Sequence, residues 1–368
     1  MSQTVDLENL RQKVGAVDHK IVSLLNERAS LSQTIGEVKK AETNTAEIHN
    51  PGQEVAVFER IESINAGPLT QDSIRAIYRE IMSASLSLQK ELKIGFLGPK
   101  GTFTHQAALN RFGDSVSYVA LESTRKVFSA LEEGRISYAV LPLENSTTGI
   151  VAETIDAFNE FSQAKIRAES YMPVTQSLLS HFKPSGIRRI YSHRVAFGQC
   201  SKWLDTNFPG VERVSVSSTA RAAEMASTEM YSAAICSEVC SKLYDIPVLN
   251  SNICDNQYNF TAFVVLGLTI QPETGKDKTL LSFTIDHRQP GALCDGLKVF
   301  KDHGLNLSKI ETRPCPSKLK PFNYIFNVEF SGHHANEKVK EALESLQKFC
   351  IDLRILGSYP DERPEAML

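Results

Sequence analysis

The first residue that asks for a chemical explanation is Arg28. From Leu7 the apolar side chains fall at Leu7, Leu10, Val14, Val17, Ile21, Leu24, Leu31, Ile35 and Val38, in alternating steps of three and four. Arg28 holds the position this series skips. A guanidinium on an apolar seam is costly unless an anion meets it, so Arg28 asks for a ligand. The spacing predicts one helix of about 33 residues, roughly 50 Å long, which needs partners along its length. Arg11 and Lys39 share one azimuth about 50° around that helix from Arg28. Lys39 lies about 16 Å along the axis from Arg28, near enough for two long side chains to meet on one small molecule. Arg11 lies about 25 Å the other way and can join them only from an antiparallel partner chain. The competing reading is that all three are solvated charges flanking the seam.

A second group of candidates sits at strand ends. Lys93-Ile94-Gly95-Phe96-Leu97 runs into Gly98-Pro99-Lys100-Gly101, after which Thr102 or Thr104 can cap a helix through Ala107, Ala108 and Leu109. Such a turn aims backbone N–H groups at an anion. It is neither a Walker A loop, since Lys100 precedes Gly101, nor Gly-x-Gly-x-x-Gly, so a nucleotide is a poor fit. Similar polar clusters follow at Glu144-Asn145-Ser146, at Ser192-His193 before a helix carrying Gln199, Cys200 and Trp203, and at Ser218-Thr219. Asn259, Thr261 and Phe263 lead into a further strand. Each cluster alone reads equally as a helix cap. Several together favour one cleft at the carboxyl ends of strands.

The elements that must carry these residues fall into three groups. After the long helix, Asn50-Pro51 opens a second one through Glu54 and Phe58 to Gly67-Pro68, and a third runs from Thr70, with Ser85 and Gln89 on one face. From Lys93 strands and helices alternate, which predicts an α/β fold. Cys236 and Cys240 read as one helix, and a further helix is expected from Ile150. Residues 270–278 form a polar linker. Beyond it the pattern is strand 279–285, helix 290–303, strand 305–313, strand 322–330, helix 335–349 and strand 351–358, a βαββαβ order.

The 368 residues are 42% hydrophobic and 23% charged, enough for two or three domains with sizeable cores. A net charge of −3 gives no reason to expect nucleic acid or an anionic membrane as partner. Seven cysteines without metal-type spacing read as thiols in a reducing compartment. The histidines, His333-His334 included, show no ligand spacing, so no metal site is expected. Residues 1–6 have no apolar leader, and no run is long enough to span a bilayer, so a cytoplasmic setting is expected.

Three stretches resemble known families. Leu10-Arg11-Gln12-Lys13, Val17-Asp18, Glu27-Arg28, Lys39, Glu54, Ser85 and Gln89 resemble the all-helical, intertwined-dimer chorismate mutases over about residues 6–92. The resemblance implies that Arg11 of one chain and Arg28 of the other clamp the substrate carboxylates. By the same resemblance Lys39 and Gln89 donate to the ether oxygen, Glu54 holds the ring hydroxyl, and Ser85 contacts a carboxylate. Two departures are Gln53, where the family has arginine, and Asn50, in place of its aspartate. Residues 93–270 resemble prephenate dehydratase in the Gly98–Ala108 loop, Glu144-Asn145-Ser146, Ser192-His193, Gln199-Cys200, Ser218-Thr219-Ala220, and Asn259 with Thr261 and Phe263. That implies two α/β lobes like a type 2 periplasmic binding protein, with Thr261 as the essential hydroxyl. Ala262 departs from the family's arginine. Alternation puts residue 262 on the opposite strand face from Thr261. Residues 279–360 resemble an ACT domain, in which Gly291-Ala292-Leu293 and Glu311-Thr312-Arg313-Pro314 would bind phenylalanine as a feedback effector. Over the whole chain the likeness is to the bifunctional chorismate mutase–prephenate dehydratases, homodimers or larger that use no cofactor. A silenced regulator that binds prephenate without turnover, and a dehydratase acting on arogenate, are the competing readings.

Overall fold

The computed structural model describes residues 7–42, 49–89, 91–315 and 323–364. The stretch 1–6, read for a leader, and Phe322, expected to lie in a strand, fall outside them. The chain divides into two compact units, residues 1–92 with 112–117, and residues 93–111 with 118–368.

The first unit is helical. The heptad series folds as one helix, α1 (Leu7–Glu42), followed by α2 (Pro51–Ile64) and α3 (Gln71–Gln89). Asn50 caps α2, its side-chain oxygen accepting from Gln53 N at 3.0 Å, with Pro51 at the first helical position. α3 packs against both other helices. Even so, the nine apolar residues of the α1 seam are each 44–63% exposed in the single chain. Exposed apolar surface in so long a row is uncommon on a monomer.

The second unit is α/β. Its first lobe contains β1 (Lys93–Leu97), α4 (Phe103–Phe112), β2 (Ser117–Leu121), α5 (Thr124–Glu132), β3 (Tyr138–Asn145), β4 (Gly149–Ile150), α6 (Ala152–Glu160) and β5 (Lys165–Pro173). The chain then builds a second lobe from β6 (Ser177–Leu179), β7 (Arg189–Ser192), α7 (Arg194–Gln199), α8 (Ser201–Asn207), β8 (Glu212–Ser215), α9 (Thr219–Thr228), β9 (Ser232–Cys236), α10 (Val239–Tyr244) and β10 (Val248–Asn250). It returns to the first lobe as β11 (Phe260–Gly267), which lies between β5 and β3. The two sheets run β5-β11-β3-β1-β2 and β10-β6-β9-β7-β8, so two crossings of the chain join the lobes.

Gly101 shows why the first loop needs its glycine. Its φ is +89°, and a Cβ there would lie 2.9 Å from Cys240 Sγ and 3.2 Å from the Ala220 side chain.

The third segment has the expected order, as β12 (Asp277–Thr284), α11 (Ala292–Asp302), β13 (Leu307–Pro314), β14 (Tyr324–Ser331), α12 (Glu337–Gln347) and β15 (Asp352–Pro360). Its sheet order is β13-β14-β12-β15, and Phe283, Phe300 and Phe330 fill the core beneath its helices. β15 meets β5 where Gly357 pairs with Ile166; a Cβ on Gly357 would lie 2.4 Å from the Ile166 carbonyl oxygen.

Four local expectations are corrected. The polar linker ends earlier than 278, because Asp277 and Lys278 already belong to β12 and are buried. The helix expected across Gln199, Cys200 and Trp203 breaks at Cys200: the Asp255 carboxylate accepts from Lys202 N at 2.9 Å and Trp203 N at 3.0 Å, starting α8 afresh. Cys236 ends a strand while Cys240 lies in a helix. The helix expected from Ile150 starts at Ala152, because Gly149 and Ile150 pair back onto β3.

Candidate active sites

In the helical unit Arg28 finds a neutral neighbour. Its Nη1 donates to Ser85 Oγ at 2.8 Å, and Ser85 Oγ itself donates to the Ile81 carbonyl at 2.8 Å. Burial holds the Arg28 guanidinium below its ordinary range, and the like charge of Arg60 pushes the same way against the influence of Tyr78. A guanidinium beside a hydroxyl between two helices can receive an anion. Gln89 packs one turn further along, its Oε1 lying 3.0 Å from where a Cβ on Gly36 would be. Lys39 is half-buried near the end of α1. Glu54 takes His49 Nε2 at 3.2 Å. Asn50, expected among the chorismate-binding residues, caps α2, its oxygen accepting from Gln53 N at 3.0 Å. Arg11 is exposed and faces Glu8 at 3.8 Å, away from Arg28 in the same chain. Arg60 was not singled out from the sequence, where nothing distinguishes it from other helix-surface arginines.

In the α/β unit a cavity of about 400 Å³ opens at the strand ends. Thr102, Asn145, His193, Gln199, Ser218, Thr219, Thr261 and Phe263 all line it. Two helix N-termini face into it. At α4, Thr102 Oγ1 accepts from His105 N at 3.3 Å; at α9, Ser218 Oγ accepts from Arg221 N at 3.0 Å. Among the described residues, no carboxylate, lysine or arginine lines it. An anionic ligand would therefore be met by N–H and O–H donors.

The hydrogen bonds around Thr261 make its oxygen an acceptor. Asn145 Oδ1 accepts from the backbone N–H groups of Thr147 and Thr148, both at 3.0 Å. That orients its amide, so Nδ2 donates to Thr261 Oγ1 at 3.0 Å, to Asn259 Oδ1 at 2.7 Å and to the Phe260 carbonyl at 3.1 Å. With Asn145 on one lone pair, Thr261 keeps its own proton to give into the cavity.

Four expected ligand residues do other work. Ser192 is fully buried and its hydroxyl donates to the Ile235 carbonyl at 2.7 Å, tying β7 to β9. Ser146 Oγ accepts from Phe260 N at 2.9 Å, fastening the turn after β3 to β11. Asn259 holds Asn145 from behind. Glu144 forms an ion pair with Lys309 of β13. Ala262 pairs in register with Glu144 and Tyr171 and is not a lining residue. Sequence reasoning missed Val174 and Gln176 at the crossing between lobes. Gln176 Nε2 donates to Gln199 Oε1 at 3.1 Å, and no motif marks it.

The two motifs of the third segment lie at the start of α11 and along β13. Gly291, with φ +81°, precedes the first turn formed by Ala292 and Leu293. On β13, Lys309, Glu311 and Arg313 share the half-buried face, while Thr312 and Pro314 share the exposed one. Arg313 makes a two-pronged pair with Asp156 of α6, at 2.8 and 2.7 Å. Among the described residues no group of three His, Cys, Asp or Glu side chains could hold a metal ion, and no helix is long and apolar enough to cross a membrane.

Comparison with known proteins agrees with this geometry. Residues 94–270 match the prephenate dehydratase family and residues 10–90 match chorismate mutase type II. A bifunctional chorismate mutase/prephenate dehydratase of Aquifex aeolicus is 42% identical, over 96% of this chain and 98% of its own. The corresponding protein of Pseudomonas aeruginosa is 37% identical over 98% of this chain and 99% of its own. Among solved structures, a prephenate dehydratase from Arthrobacter aurescens in complex with L-Phe superposes with a TM-score of 0.68 at 31% identity, covering 74% of this chain and 92% of that one. By similarity along nearly its full length, this chain belongs to the bifunctional chorismate mutase/prephenate dehydratase family.

Proposed function

We propose that this protein carries chorismate to phenylpyruvate in two steps, with a mutase domain at 1–92, a dehydratase domain at 93–270 and an ACT regulatory domain at 279–360. The observation that carries the second step is Thr261, which lines the cavity and whose oxygen accepts from Asn145, leaving its own proton to donate. Prephenate loses its ring carboxylate as carbon dioxide; the electron pair of the breaking C–C bond enters the ring and the ring hydroxyl leaves. Thr261 is far too weak an acid to be ionised near neutral pH, so it donates a hydrogen bond to the departing oxygen. The N-termini of α4 and α9 receive the dianion. Phe263 forms part of the apolar wall.

The intact Asn145–Thr261 arrangement favours catalysis over a silent binding domain.

The first step needs no nucleophile. Two arginines hold the dicarboxylate in its reactive conformer, and donors stabilise the ether oxygen as its bond breaks. Arg28, Lys39, Glu54, Ser85 and Gln89 come from one chain. Arg11 comes from the partner of a homodimer that covers the exposed α1 seam. Phenylalanine binds the 291–293 and 311–314 motifs as feedback effector, a role supported by the L-Phe complex of the Arthrobacter aurescens relative. Seven free thiols suit a reducing cytoplasm. Incubating the full chain with prephenate tests the dehydratase assignment directly. Phenylpyruvate formation that phenylalanine suppresses is expected; no phenylpyruvate would refute it.

A further inference from the structure

The cavity walls that carry the α4 N-terminus and Thr261 are joined behind the cavity by a chain of charged groups. Arg111, in the last turn of α4, donates from Nη1 to both carboxylate oxygens of Glu362, at 3.0 and 2.7 Å. The backbone N–H of Glu362 donates to Glu169 Oε1 at 3.1 Å. Glu169 lies on β5 directly opposite Val264 of β11, in the same register that pairs Thr261 with Met172. The other Glu169 oxygen faces Lys278 Nζ at 2.7 Å and accepts from the Tyr171 hydroxyl at 3.0 Å. Lys278 also lies 3.3 Å from Glu329 and 4.0 Å from Asp361. The side chains of Lys278, Glu169 and Glu329 are only 1–3% exposed.

Charges buried this deeply are poor value as stabilising devices, because desolvation cancels much of their attraction. What they impose is geometry: each carboxylate has one low-energy place among its donors. Glu362 follows the last strand of the third segment, yet it grips one helix and one strand of the first lobe.

We propose that Arg111, Glu362, Glu169 and Lys278 are positioning residues of the dehydratase site, holding α4 and the β5–β11 pair at the separation the reaction needs. None of the four lines the cavity. The inference rests on reading that cavity as the dehydratase site. Loss of the strap lets the anion-binding helix end drift relative to the Thr261 hydroxyl. Bound substrate is then held, but misaligned with the group that helps its hydroxyl leave.

The test uses the full chain with Arg111→Met, Glu362→Ala and the double variant, each checked for a wild-type circular dichroism spectrum and urea midpoint. Glu362 lies beyond the last strand and is 21% exposed in its side chain, so its replacement spares the core. Each single variant is expected to lower kcat for prephenate about tenfold while KM moves less than about threefold, since misplacement affects reaction more than binding. The double variant should be no slower than the slower single, because both break one link. Wild-type kcat in folded Glu362→Ala, a rise in KM with kcat unchanged, or losses that multiply to about a hundredfold in the double variant would overturn the proposal. A wild-type chain that makes no phenylpyruvate would instead overturn the functional reading beneath it.

Discussion

Replacing Thr261 with valine removes one hydroxyl and adds a methyl of nearly the same volume. In the folded chain the immediate loss is one acceptor for Asn145 Nδ2, which keeps Asn259 Oδ1 at 2.7 Å and the Phe260 carbonyl at 3.1 Å. Asn145 cannot turn its amide around, because Oδ1 is held by the N–H groups of Thr147 and Thr148. The stability cost should therefore be that of one hydrogen bond with its donor still satisfied, about 1 kcal/mol. The catalytic cost is larger, because the missing proton is the one aimed at the oxygen that gains charge. Losing one such preorganised donor costs about 2.7–4 kcal/mol, a hundred- to thousandfold in kcat. The assay is phenylpyruvate formation from prephenate by the full chain, with chorismate consumption as an internal reference for the other unit. Thr261→Ser, which keeps the hydroxyl, should recover most of the rate. A Thr261→Val chain that retains more than about a tenth of wild-type kcat would refute the reasoning, since the hydroxyl would then contribute less than a single weak contact.

Arg28→Ala should abolish most chorismate turnover, by about a hundredfold or more, while prephenate turnover stays intact; parallel loss of both would contradict separate sites. Arg11→Ala and Arg28→Ala chains, each inactive alone, should regain about a quarter of wild-type mutase activity when unfolded and refolded together, because half the random dimers then hold one intact site. No recovery would mean that both arginines act within one chain. Ala262→Arg places a cation opposite Glu144 and Tyr171, where it competes with Lys309 for Glu144. A rise in prephenate turnover is expected, and unchanged turnover counts against a supporting role for this position. Burial pushes the Glu169 carboxyl up to about 7, against the pull of Lys278. A carboxyl raised on folding takes up a proton between its ordinary value of 4.5 and about 7, so its stabilising share is whole below that window and is lost as pH rises through it. Neutral Glu169→Gln should therefore gain stability relative to wild type from about pH 5 to about pH 8 in urea titrations; a constant difference would contradict the shift.

What could be read from the sequence followed from periodicity. The α1 heptads and the skipped position at Arg28 are visible because a helix repeats every few residues whatever surrounds it. The cluster at strand ends was legible for the same reason, since alternating elements bring such ends together. The misreadings came from partners distant in sequence. Ser192 looks like a ligand until the neighbouring β9 supplies the Ile235 carbonyl. Glu144 sits in the right turn but leans toward Lys309, more than 160 positions away. Lys278 ends a run that reads as solvated linker, and Glu169 and Glu329, on two other strands, help to make its burial possible. Gln176 carries no motif; the segment that joins β5 to β6 puts it in the cavity wall.

The most direct test of two activities in one chain is a single incubation of the full-length protein with chorismate, following prephenate and phenylpyruvate with and without phenylalanine. Transient prephenate followed by phenylpyruvate, with the second product suppressed by phenylalanine, is the expected course. Prephenate that accumulates to completion without phenylpyruvate would contradict it.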